Sequence, residues 1–432
     1  MKLRLLLINP WIYDFAAYNL WARPLGLLKV AEFLSSFNVE LILVDCTDSA
    51  GSGRFGTGHY DAEIVPKPAI LREVPRHFKK YGISIPEFQH RLKSAGNVDL
   101  VLITSIMGYW YPGVQKAVEL VRNELGTVPV ILGGIYATIY HEHASRYSGA
   151  DFIFRGPLNN GLLFAMSTFG FKIKRKRGPV PYYRLGFYDH IAYAPLLTST
   201  GCPFRCDYCA SSLLASRYER CQHDEIIKNI VELSEMDVHD FAFYDDALLE
   251  YPEEHIKPLL RNVLSLGLQV RFHTPNGMHA RYMDAELAGL MRASGFRTIR
   301  LSLETTNPER QLSSGGKVCN EELESAVGHL FQAGFTKNEI GIYIMYGLPG
   351  QGLEEVKESI SFLKRLGVRV NLTEFAPVRG TNSWKELANK GTITDDLDPL
   401  LTNNTVFTSI FSGYYPEDVA HMKIDVNEYN AR

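Results

Sequence analysis

The sequence predicts two α/β domains, a doubly wound domain at the N-terminus followed by a partial (β/α)6 barrel of the TIM type. Short apolar runs of strand length alternate with segments of helical spacing along most of the 432 residues. The alternation stops and restarts across a basic, proline-containing stretch at 164–193. We therefore predict domains at 1–163 and 194–383, with a linker at 164–193 and a C-terminal tail at 384–432.

Composition places the chain among globular proteins and disfavours several functional classes. Hydrophobic residues make up 46% and aromatic residues 12%, as in proteins that form cores. With 45 basic and 48 acidic residues, the formal net charge is −3, which favours neither nucleic acid nor an anionic membrane as a partner. The apolar run at the N-terminus suits a buried strand better than a signal peptide. No stretch approaches the roughly twenty apolar residues that cross a bilayer, so we expect a cytoplasmic protein without a transmembrane segment.

The first domain is predicted from alternating strands and helices with one interruption. Leu3 to Asn9 is an apolar strand, 24–36 has helical spacing, and 40–45 is a second apolar strand. A glycine-rich and then proline-rich stretch at about 48–95 is predicted to be an insertion, either a lid or a contact surface. Further strands at 98–104, 128–133 and 150–155, with helices at 113–125 and 141–147, complete a Rossmann-like domain of about five strands.

The second domain alternates six strands with helices. The strands are predicted at 194–198, 240–244, 269–273, 298–303, 339–346 and 369–375, and the helices at 224–236, 252–265, 285–294, 320–333 and 353–366. Catalytic side chains of such a barrel are expected at the carboxyl ends of its strands. The tail at 384–432 is too irregular to predict another barrel unit.

The loop after the first barrel strand concentrates the chemistry of the chain. Three of the six cysteines, Cys202, Cys206 and Cys209, stand there at C-x3-C-x2-C spacing. Thiolates are soft ligands for iron, and each of the three can bind a different iron of one four-iron four-sulfur cluster, which leaves one iron open. Structural zinc usually takes four ligands in two separated pairs, and a disulfide framework needs denser cysteines. The cluster is therefore the favoured interpretation.

This motif, with an aromatic residue just before its last cysteine, resembles the signature of the radical S-adenosylmethionine (SAM) enzymes. The resemblance implies that the open iron chelates SAM, that one electron cleaves SAM to a 5′-deoxyadenosyl radical, and that a flavodoxin- or ferredoxin-type protein supplies the electron. Two carboxylates, Asp245 and Asp246, stand where this family usually has a Gly-Gly-Glu-like segment. The resemblance assigns SAM contacts to Tyr208, Asp245, Asp246, Asn276, Arg281, Ser302 and Glu304.

The N-terminal domain resembles the cobalamin-binding domain that precedes many radical SAM domains, and the P-x-x-G-T turn at 377–381 is similar to one in the same subgroup. One element of that family is missing, because no D-x-H-x-x-G follows the first strand. Cobalamin would therefore lack a histidine ligand from that loop. The resemblance assigns cobalamin contacts to Ser105, Met107, Tyr109, Gly133 and Gly134.

The sequence thus predicts a radical SAM enzyme, with cobalamin-dependent methylation of an unactivated carbon as the main hypothesis. Two alternatives stay open. One is a cobalamin-independent rearrangement, cyclisation or C–C bond formation, and the other is a non-catalytic cluster or corrinoid sensor. No residue identifies the substrate, which is a small molecule or a peptide.

Overall fold

The structure is a computed structural model that describes residues 2–48, 53–156, 158, 160–176 and 185–432. Part of the predicted insertion, at 49–52, and part of the predicted linker, at 177–184, lie outside the described residues. No helix within the described ranges is both long and apolar enough to cross a membrane.

The chain divides into two compact units. The first comprises Met1–Ile191 with Asp398–Leu401, and the second comprises Ala192–Leu397 with Thr402–Arg432. In the first unit the strands are β1 (Leu3–Asn9), β2 (Ile12–Asp14), β3 (Tyr18–Asn19), β4 (Val39–Asp45), β5 (Gly58–His59), β6 (Ala62–Ile64), β7 (Lys79–Tyr81), β8 (Leu100–Ile103), β9 (Val130–Leu132) and β10 (Phe152–Ile153). Its helices are α1 (Leu25–Ser35), α2 (Ile85–Ala95), α3 (Tyr111–Leu125), α4 (Gly134–Ile139), α5 (His141–Tyr147) and α6 (Asn160–Ser167).

Five parallel strands form the central sheet of the first unit, in the order β10-β9-β8-β1-β4. Leu5 and Leu7 of β1 pack with α1 in one core, and Leu6 and Ile8 are just as buried on the opposite face. Strands that are covered on both faces consist of continuous apolar residues, so they can be predicted from the sequence. The chain crosses from β4 to the far side of β1, so a topological switch point lies between β1 and β8. The doubly wound prediction is confirmed.

Helix α2 lies inside the range that the sequence predicts as an insertion. Ser84 caps it by accepting from the Glu87 N–H at 3.2 Å, a proline occupies its first turn, and Gly96 ends it with φ 65°. It packs against β4 and α3, so it is the crossover helix between β4 and β8. The inserted stretch therefore ends before Ile85. It contains β5 to β7, and β7 pairs antiparallel with β2 and β6.

The second unit adds nine strands and ten helices within its described residues. The strands are β11 (Ala194–Leu196), β12 (Ser199–Thr200), β13 (Glu219–Arg220), β14 (Asp240–Phe243), β15 (Arg271–His273), β16 (Met278–His279), β17 (Phe296–Glu304), β18 (Ile340–Tyr346) and β19 (Arg369–Glu374). The helices are α7 (Ser211–Leu214), α8 (His223–Glu235), α9 (Ile256–Ser265), α10 (Ala285–Ala293), α11 (Pro308–Ser313), α12 (Asn320–Gln332), α13 (Leu353–Leu366), α14 (Asn382–Asn389), α15 (Asn404–Phe411) and α16 (Pro416–Ala431).

The main sheet of the second unit follows chain order, β11-β14-β15-β17-β18-β19, with every neighbouring pair parallel. Helices α8, α9, α10, α12 and α13 connect these strands in turn. This is the predicted partial (β/α)6 barrel, with β11 and β19 as its two edges. The carboxyl ends of its strands are therefore the place to look for a site.

The C-terminal segment is more regular than the sequence predicts, because it forms α14, α15 and α16. Thr381 of the P-x-x-G-T turn is the N-cap of α14 and accepts from the Trp384 N–H at 3.2 Å. Helix α16 packs along the edge strand β19. There the Asn430 side chain accepts from Val370 N–H at 3.0 Å and donates to Val370 O at 2.8 Å. The side chain thus fills hydrogen-bonding positions that a further strand would use.

Helix α3 begins in close backbone contact with the segment after β1. A Cβ on Gly113 would lie 2.1 Å from the Trp11 carbonyl oxygen. Gly113→Ala should therefore push α3 away from the segment after β1 and lower the unfolding free energy of the first unit by about 1–3 kcal/mol. Urea unfolding read by pulse proteolysis on fragments of that unit measures the change, since the two units need not unfold together.

Gly26→Ala in α1 is the matched control. Gly26 is helical and exposed, and a Cβ there meets no atom within 4 Å. This substitution should raise the unfolding free energy by about 0.4–1 kcal/mol. Equal urea midpoints for the two variants would contradict the close approach at Gly113.

Candidate functional site

The cysteine loop is closed at its base by a short antiparallel ribbon. Strands β12 and β13 pair on either side of it, so residues 201–218 form one loop after β11. Gly201 takes φ 76°, and a Cβ there would lie 2.4 Å from the Arg217 carbonyl oxygen, so closure of the loop requires glycine. Inside the loop the Cys209 N–H donates to Cys206 O at 3.0 Å. This tight turn holds two of the three thiols on one short segment.

The thiols of Cys202, Cys206 and Cys209 are all free. Burial raises the pKa of each, and raises that of Cys202 to about 12. Thiols in such surroundings stay protonated alone and lose their protons when a metal cation binds. Among the described residues, no group of three His, Cys, Asp or Glu side chains is arranged around a single metal ion. The spacing instead suits one thiolate for each of three irons in a cluster.

A segment after α11 covers one side of Cys206. A Cβ on Gly315, which has φ 112°, would lie 3.2 Å from Cys206 Cα and 3.3 Å from its Sγ. Lys317 Nζ donates to Glu304 Oε1 at 2.8 Å and lies 5.6 Å from the centre of the Tyr208 ring. Both members of this ion pair are mostly buried, so removing one would leave an unpaired charge at a cost of about 3–5 kcal/mol. The sequence analysis missed Gly315 and Lys317, and the Gly-Gly-Lys run was the available signal.

Glu304 itself ends β17 with an unusual backbone. Its φ is 70°, and the register between β17 and β18 shifts between Ser302 and Glu304. A positive φ at a non-glycine residue costs of order 1–3 kcal/mol and persists where the surroundings hold it, often at functional sites. The ion pair with Lys317 is one such restraint. Two predicted SAM residues, Ser302 and Glu304, therefore lie at an irregular strand end that an ion pair restrains.

The adjacent carboxylates after β14 have different neighbours. Asp245 is 3% exposed, and its Oδ1 accepts from Thr198 N, Thr198 Oγ1 and Ser199 Oγ at 3.0, 2.8 and 2.6 Å. Its Oδ2 has no hydrogen-bond partner, and burial raises its pKa to about 6 despite the bonds to Oδ1. Asp246 Oδ2 instead accepts from Ser211 Oγ at 2.6 Å, just beyond the last cysteine. Asp246 thus faces the cysteine loop, whereas Asp245 fixes the residues that lead into it.

Asn276 and Ser302 meet at the ends of neighbouring strands. The Asn276 side chain donates to Tyr244 O at 3.0 Å and so links the ends of β14 and β15. A Cβ on the next residue, Gly277, would lie 2.1 Å from Ser302 Oγ, so the loop after β15 packs directly on Ser302. The structure brings these predicted SAM residues together.

Arg281 supports the segment that covers Cys206. Its Nη2 donates to Gly316 O at 2.8 Å, and the same group pairs with Glu322 at 3.2 Å. Its guanidinium carbon lies 5.5 Å from the centre of the Phe204 ring. The His279 ring packs edge-on against Phe204 at 4.7 Å, and burial lowers the pKa of His279 to about 3, which keeps it neutral. Arg281 is thus engaged by protein groups, and its contact with SAM stays a prediction.

Tyr208, the aromatic residue before the last cysteine, is held by the C-terminal part of the unit. Asp207 beside it accepts from the Ser383 N–H and from Asn382 Nδ2, both at 2.9 Å. These bonds attach the N-terminus of α14 to the cysteine loop. Tyr208 packs against a buried cluster of Leu348, Phe375, Trp384, Leu387, Ile393 and Phe407.

In the first unit, the residues assigned to cobalamin lie at the switch point of the sheet. Gly134 has φ 87°, and a Cβ there would lie 2.6 Å from the Ser105 carbonyl oxygen. The Ser105 hydroxyl donates to Met107 O at 2.9 Å and shapes the loop after β8. A Cβ on Gly133 would meet no atom closer than 3.9 Å. The glycine pair therefore combines one close backbone contact with one position that tolerates a Cβ, and its ligand stays a prediction.

A small pocket opens at the same switch point. It is lined by Asn9, Pro10, Trp11, Ile12, Thr47, Ser105, Ile106 and Trp110, which include no histidine. Asn9 Nδ2 and Thr47 Oγ1 both donate to Asp45 Oδ1, at 2.7 and 2.8 Å. Tyr109 lies edge-on to Trp110, with ring centroids 6.0 Å apart. The pocket thus has aromatic walls and a hydrogen-bonded polar floor.

Comparison with known proteins identifies the central part of the chain. Residues 196–363 match the Radical SAM superfamily. An uncharacterized methyltransferase of Pyrococcus horikoshii is 25% identical over 200 residues, which are 46% of this chain and 42% of that protein. GTP 3′,8-cyclase 1 of Mycobacterium tuberculosis is 24% identical over 134 residues, which are 31% of this chain and 35% of that enzyme. The chain thus matches less than half the length of these curated relatives.

Solved structures share the fold over a larger part of the chain. The radical SAM methyltransferase TsrM from Kitasatospora setae, with cobalamin and a [4Fe-4S] cluster bound, has a TM-score of 0.66 at 16% identity, covering 90% of this chain and 75% of TsrM. The cobalamin-dependent SAM radical enzyme OxsB has a TM-score of 0.65 at 11% identity, covering 99% of this chain and 71% of OxsB. At these identities the likeness shows the fold alone.

The buried Asp245 carboxylate makes a pH-dependent contribution to stability. Its pKa is about 6 in the folded protein and 3.8 without the fold, so the folded state binds the proton more tightly. Stability is then lost as the pH rises through the folded value. Asp245→Asn should remove this loss, so its denaturant midpoint should fall less than that of the wild type between about pH 4 and pH 6.

The matched control for this titration is Glu225→Gln. Glu225 is an exposed carboxylate in the first turn of α8, and its replacement should keep the wild-type pH dependence. Denaturant unfolding of the anaerobically reconstituted protein at each pH gives the midpoints. Parallel profiles for Asp245→Asn and the wild type would contradict the assignment.

Proposed function

We infer that this chain, a radical SAM enzyme by its domain at 196–363, cleaves SAM reductively at a four-iron cluster and uses cobalamin to methylate an unactivated carbon. The solved neighbours support the cobalamin part, since TsrM and OxsB are both described as cobalamin enzymes. The Pyrococcus horikoshii relative is named a methyltransferase. Because one fold hosts many reactions, the function depends on the residues that this chain presents at the site.

The observation that carries the proposal is the placement of the three thiols. Cys202, Cys206 and Cys209 share one closed loop at the carboxyl end of a parallel barrel, where chemistry is expected. Three free thiols at this spacing are soft donors that fit one iron each of a cluster, and a bound cation would displace their protons despite their raised pKa values. A bound cluster with one open iron would supply the single electron that cleaves SAM. A flavodoxin- or ferredoxin-type donor of that electron stays a prediction.

The surrounding residues fit the parts of SAM by charge. Asp246 is the carboxylate turned toward the cysteine loop, so we assign to it the ammonium group of SAM. Lys317 lies beside Cys206 and Tyr208 and offers a cation for the methionine carboxylate. We assign Glu304 and Ser302, at the end of β17, to the ribose hydroxyls. Together these groups would orient SAM against the open iron.

Three features of the switch point of the first unit support a cobalamin site there. A Cβ on Gly133 would approach Phe154 no closer than 3.9 Å, Gly134 packs its backbone on Ser105, and Trp11 and Trp110 line a pocket of about 240 Å³, which has to widen to admit a corrin ring. Bound there, cobalamin would supply a carrier for the methyl group. The pocket lining offers it no histidine. The runner-up function keeps SAM cleavage but drops cobalamin, and it gains support from the missing D-x-H-x-x-G motif.

Loss of the cluster ligands should abolish SAM cleavage. In the triple variant Cys202→Ala, Cys206→Ala and Cys209→Ala, no thiolates are left on the loop to bind iron. After anaerobic reconstitution and reduction with SAM, 5′-deoxyadenosine should fall to the level of an assay without enzyme. The wild type should form 5′-deoxyadenosine. A wild type that forms none would contradict the hypothesis that this protein is an enzyme.

Cys319→Ser is the matched control for this loss. Cys319 lies at the N-cap of α12, where serine is a favourable residue. This variant should keep both the iron content and the 5′-deoxyadenosine yield of the wild type. A comparable loss in Cys319→Ser would mean that thiol replacement in general, and not the cysteine loop, destroys the cluster.

Cobalamin binding can be tested at Gly133. Gly133 has φ −123°, so a side chain is compatible with its backbone, and a Cβ there would make ordinary van der Waals contact, 3.9 Å from Phe154. Gly133→Leu should therefore fold but fill the space that a corrin ring needs. After incubation with hydroxocobalamin and gel filtration, the wild type should retain corrin absorbance and this variant should lose most of it.

Gly133→Ala and Gly26→Ala are the controls for the corrin test. The smaller side chain at Gly133 should cost less corrin than leucine does, and Gly26→Ala, away from the switch point, should cost none. Wild-type protein that elutes without corrin absorbance would contradict the proposed cobalamin-dependent methylation. In that case 5′-deoxyadenosine formation would leave the runner-up function standing.

A further inference from the structure

The inner face of the barrel is identified by the two faces of β18. Ile342 and Ile344 are fully buried, as expected beneath α13, which packs on this strand. The residue between them, Tyr343, points the other way, and its hydroxyl donates to Pro275 O at 2.7 Å, beyond the end of β15. Residues that share the face of Tyr343 therefore line the inside of the barrel.

Arg300 lies on this inner face. The register of β17 and β18 places Arg300 beside Gly341, and Ser302 beside Tyr343. Arg300 is thus two residues before Ser302 on the same side of β17, about 6–7 Å deeper along the strand. It stands below the residues assigned to SAM, in the direction of the barrel interior.

The guanidinium of Arg300 has no acidic partner. Its Nη1 donates to Ile299 O at 2.9 Å and the Tyr343 hydroxyl is its side-chain neighbour, but no Asp or Glu in the described part of the chain forms an ion pair with it. Burial lowers its pKa, which means that the site does little to stabilise the positive charge. Arg271 of β15, by contrast, binds both oxygens of Asp240 at 2.7 and 2.6 Å. A desolvated cation without a counter-charge is costly to keep unless a ligand supplies one.

The side chains of Asn371 and Arg300 approach each other beside Gly341, which has no side chain to separate them. A Cβ on Gly341 would lie 2.9 Å from Arg300 Nη1 and 2.5 Å from Asn371 Oδ1. Asn371 Oδ1 is buried and has no hydrogen-bond partner, and β19 places Asn371 beside Tyr343. A carboxamide can turn to present its N–H groups instead of its oxygen. Arg300 and Asn371 thus offer two sets of donors across the gap at Gly341.

We propose that the substrate is a small anionic molecule whose carboxylate or phosphate group binds Arg300 and Asn371 inside the barrel. The proposal rests on the proposed function, because it gives the same barrel a substrate class. A planar guanidinium matches the oxygens of both groups, and the charge-assisted bonds offset the desolvation of Arg300. The anionic group would anchor one end of the substrate, with the reacting carbon nearer to Ser302 and the open iron.

Anion binding by the reconstituted protein tests this directly and needs no turnover. Thermal unfolding is followed at saturating SAM and constant ionic strength, with inorganic phosphate or acetate replacing chloride. A ligand that binds only the folded state raises Tm in a saturable way. At least one of the two anions should do so for the wild type, and the anion that acts distinguishes a phosphate site from a carboxylate site.

Substitutions at the site separate binding from a structural role. Arg300→Met should keep the wild-type Tm in chloride, since it removes a partly buried charge that has no acidic partner, and should weaken the anion affinity on the order of tenfold or more. Arg300→Lys should keep a weaker response, because the charge is retained without the planar fork. Asn371→Ala should weaken it less than Arg300→Met. Arg261→Met, which removes a half-exposed arginine paired with Glu286 on the outer helices, should respond like the wild type.

Three outcomes would overturn the proposal. The first is a wild type whose Tm responds to neither anion, and the second is an equal response in Arg300→Met. The third is an Arg300→Met variant that melts well below the wild type in chloride, which would make Arg300 a structural residue. Each leaves the proposed function intact if the wild type still forms 5′-deoxyadenosine from SAM.

Discussion

A buried ion pair between Lys317 and Glu304 connects the parts of the second unit that surround the cysteine loop. It joins the segment after α11 to the end of β17, and it lies against the Tyr208 ring. The pair restrains the positive φ of Glu304, and the chain that leads to Lys317 lays Gly315 directly against Cys206. The end of β17 and the segment after α11 are thus joined beside the cysteine loop, about a hundred residues earlier in the chain. The position of each segment depends on this pair, because either charge would be buried without a partner if the other were absent.

The sequence predicted the larger features because they repeat. Buried parallel strands, the spacing of three cysteines and the order of the strand-end loops all leave a local pattern. It failed at α2, where a proline and basic residues suggested a loop although Ser84 caps a helix. It also could not distinguish Asp245 from Asp246, since adjacent residues share a sequence context while their hydrogen-bond partners come from other loops. The role of Lys317 was not predicted, because its pairing with Glu304 exists only in the folded structure.

The two units illustrate how little sequence identity a shared fold requires. TsrM and OxsB match most of this chain at 16% and 11% identity, so the likeness is one of fold and not of particular side chains. Gly134, Gly277 and Gly315 each sit where a Cβ would strike a residue assigned to a cofactor. Such positions preserve the shape of a site, while the polar residues around it set the chemistry.

The Asn430 side chain on the edge strand β19 has a consequence for how the chain is made. A ribosome delivers residues in order, and domains begin to fold while synthesis continues. Strand β19 is complete long before Pro416–Ala431 has been added, so its outer row of N–H and C=O groups waits for the helix that shields it. During that interval the nascent barrel presents a template for pairing with other chains. Its vulnerable period thus lies between the synthesis of β19 and that of α16.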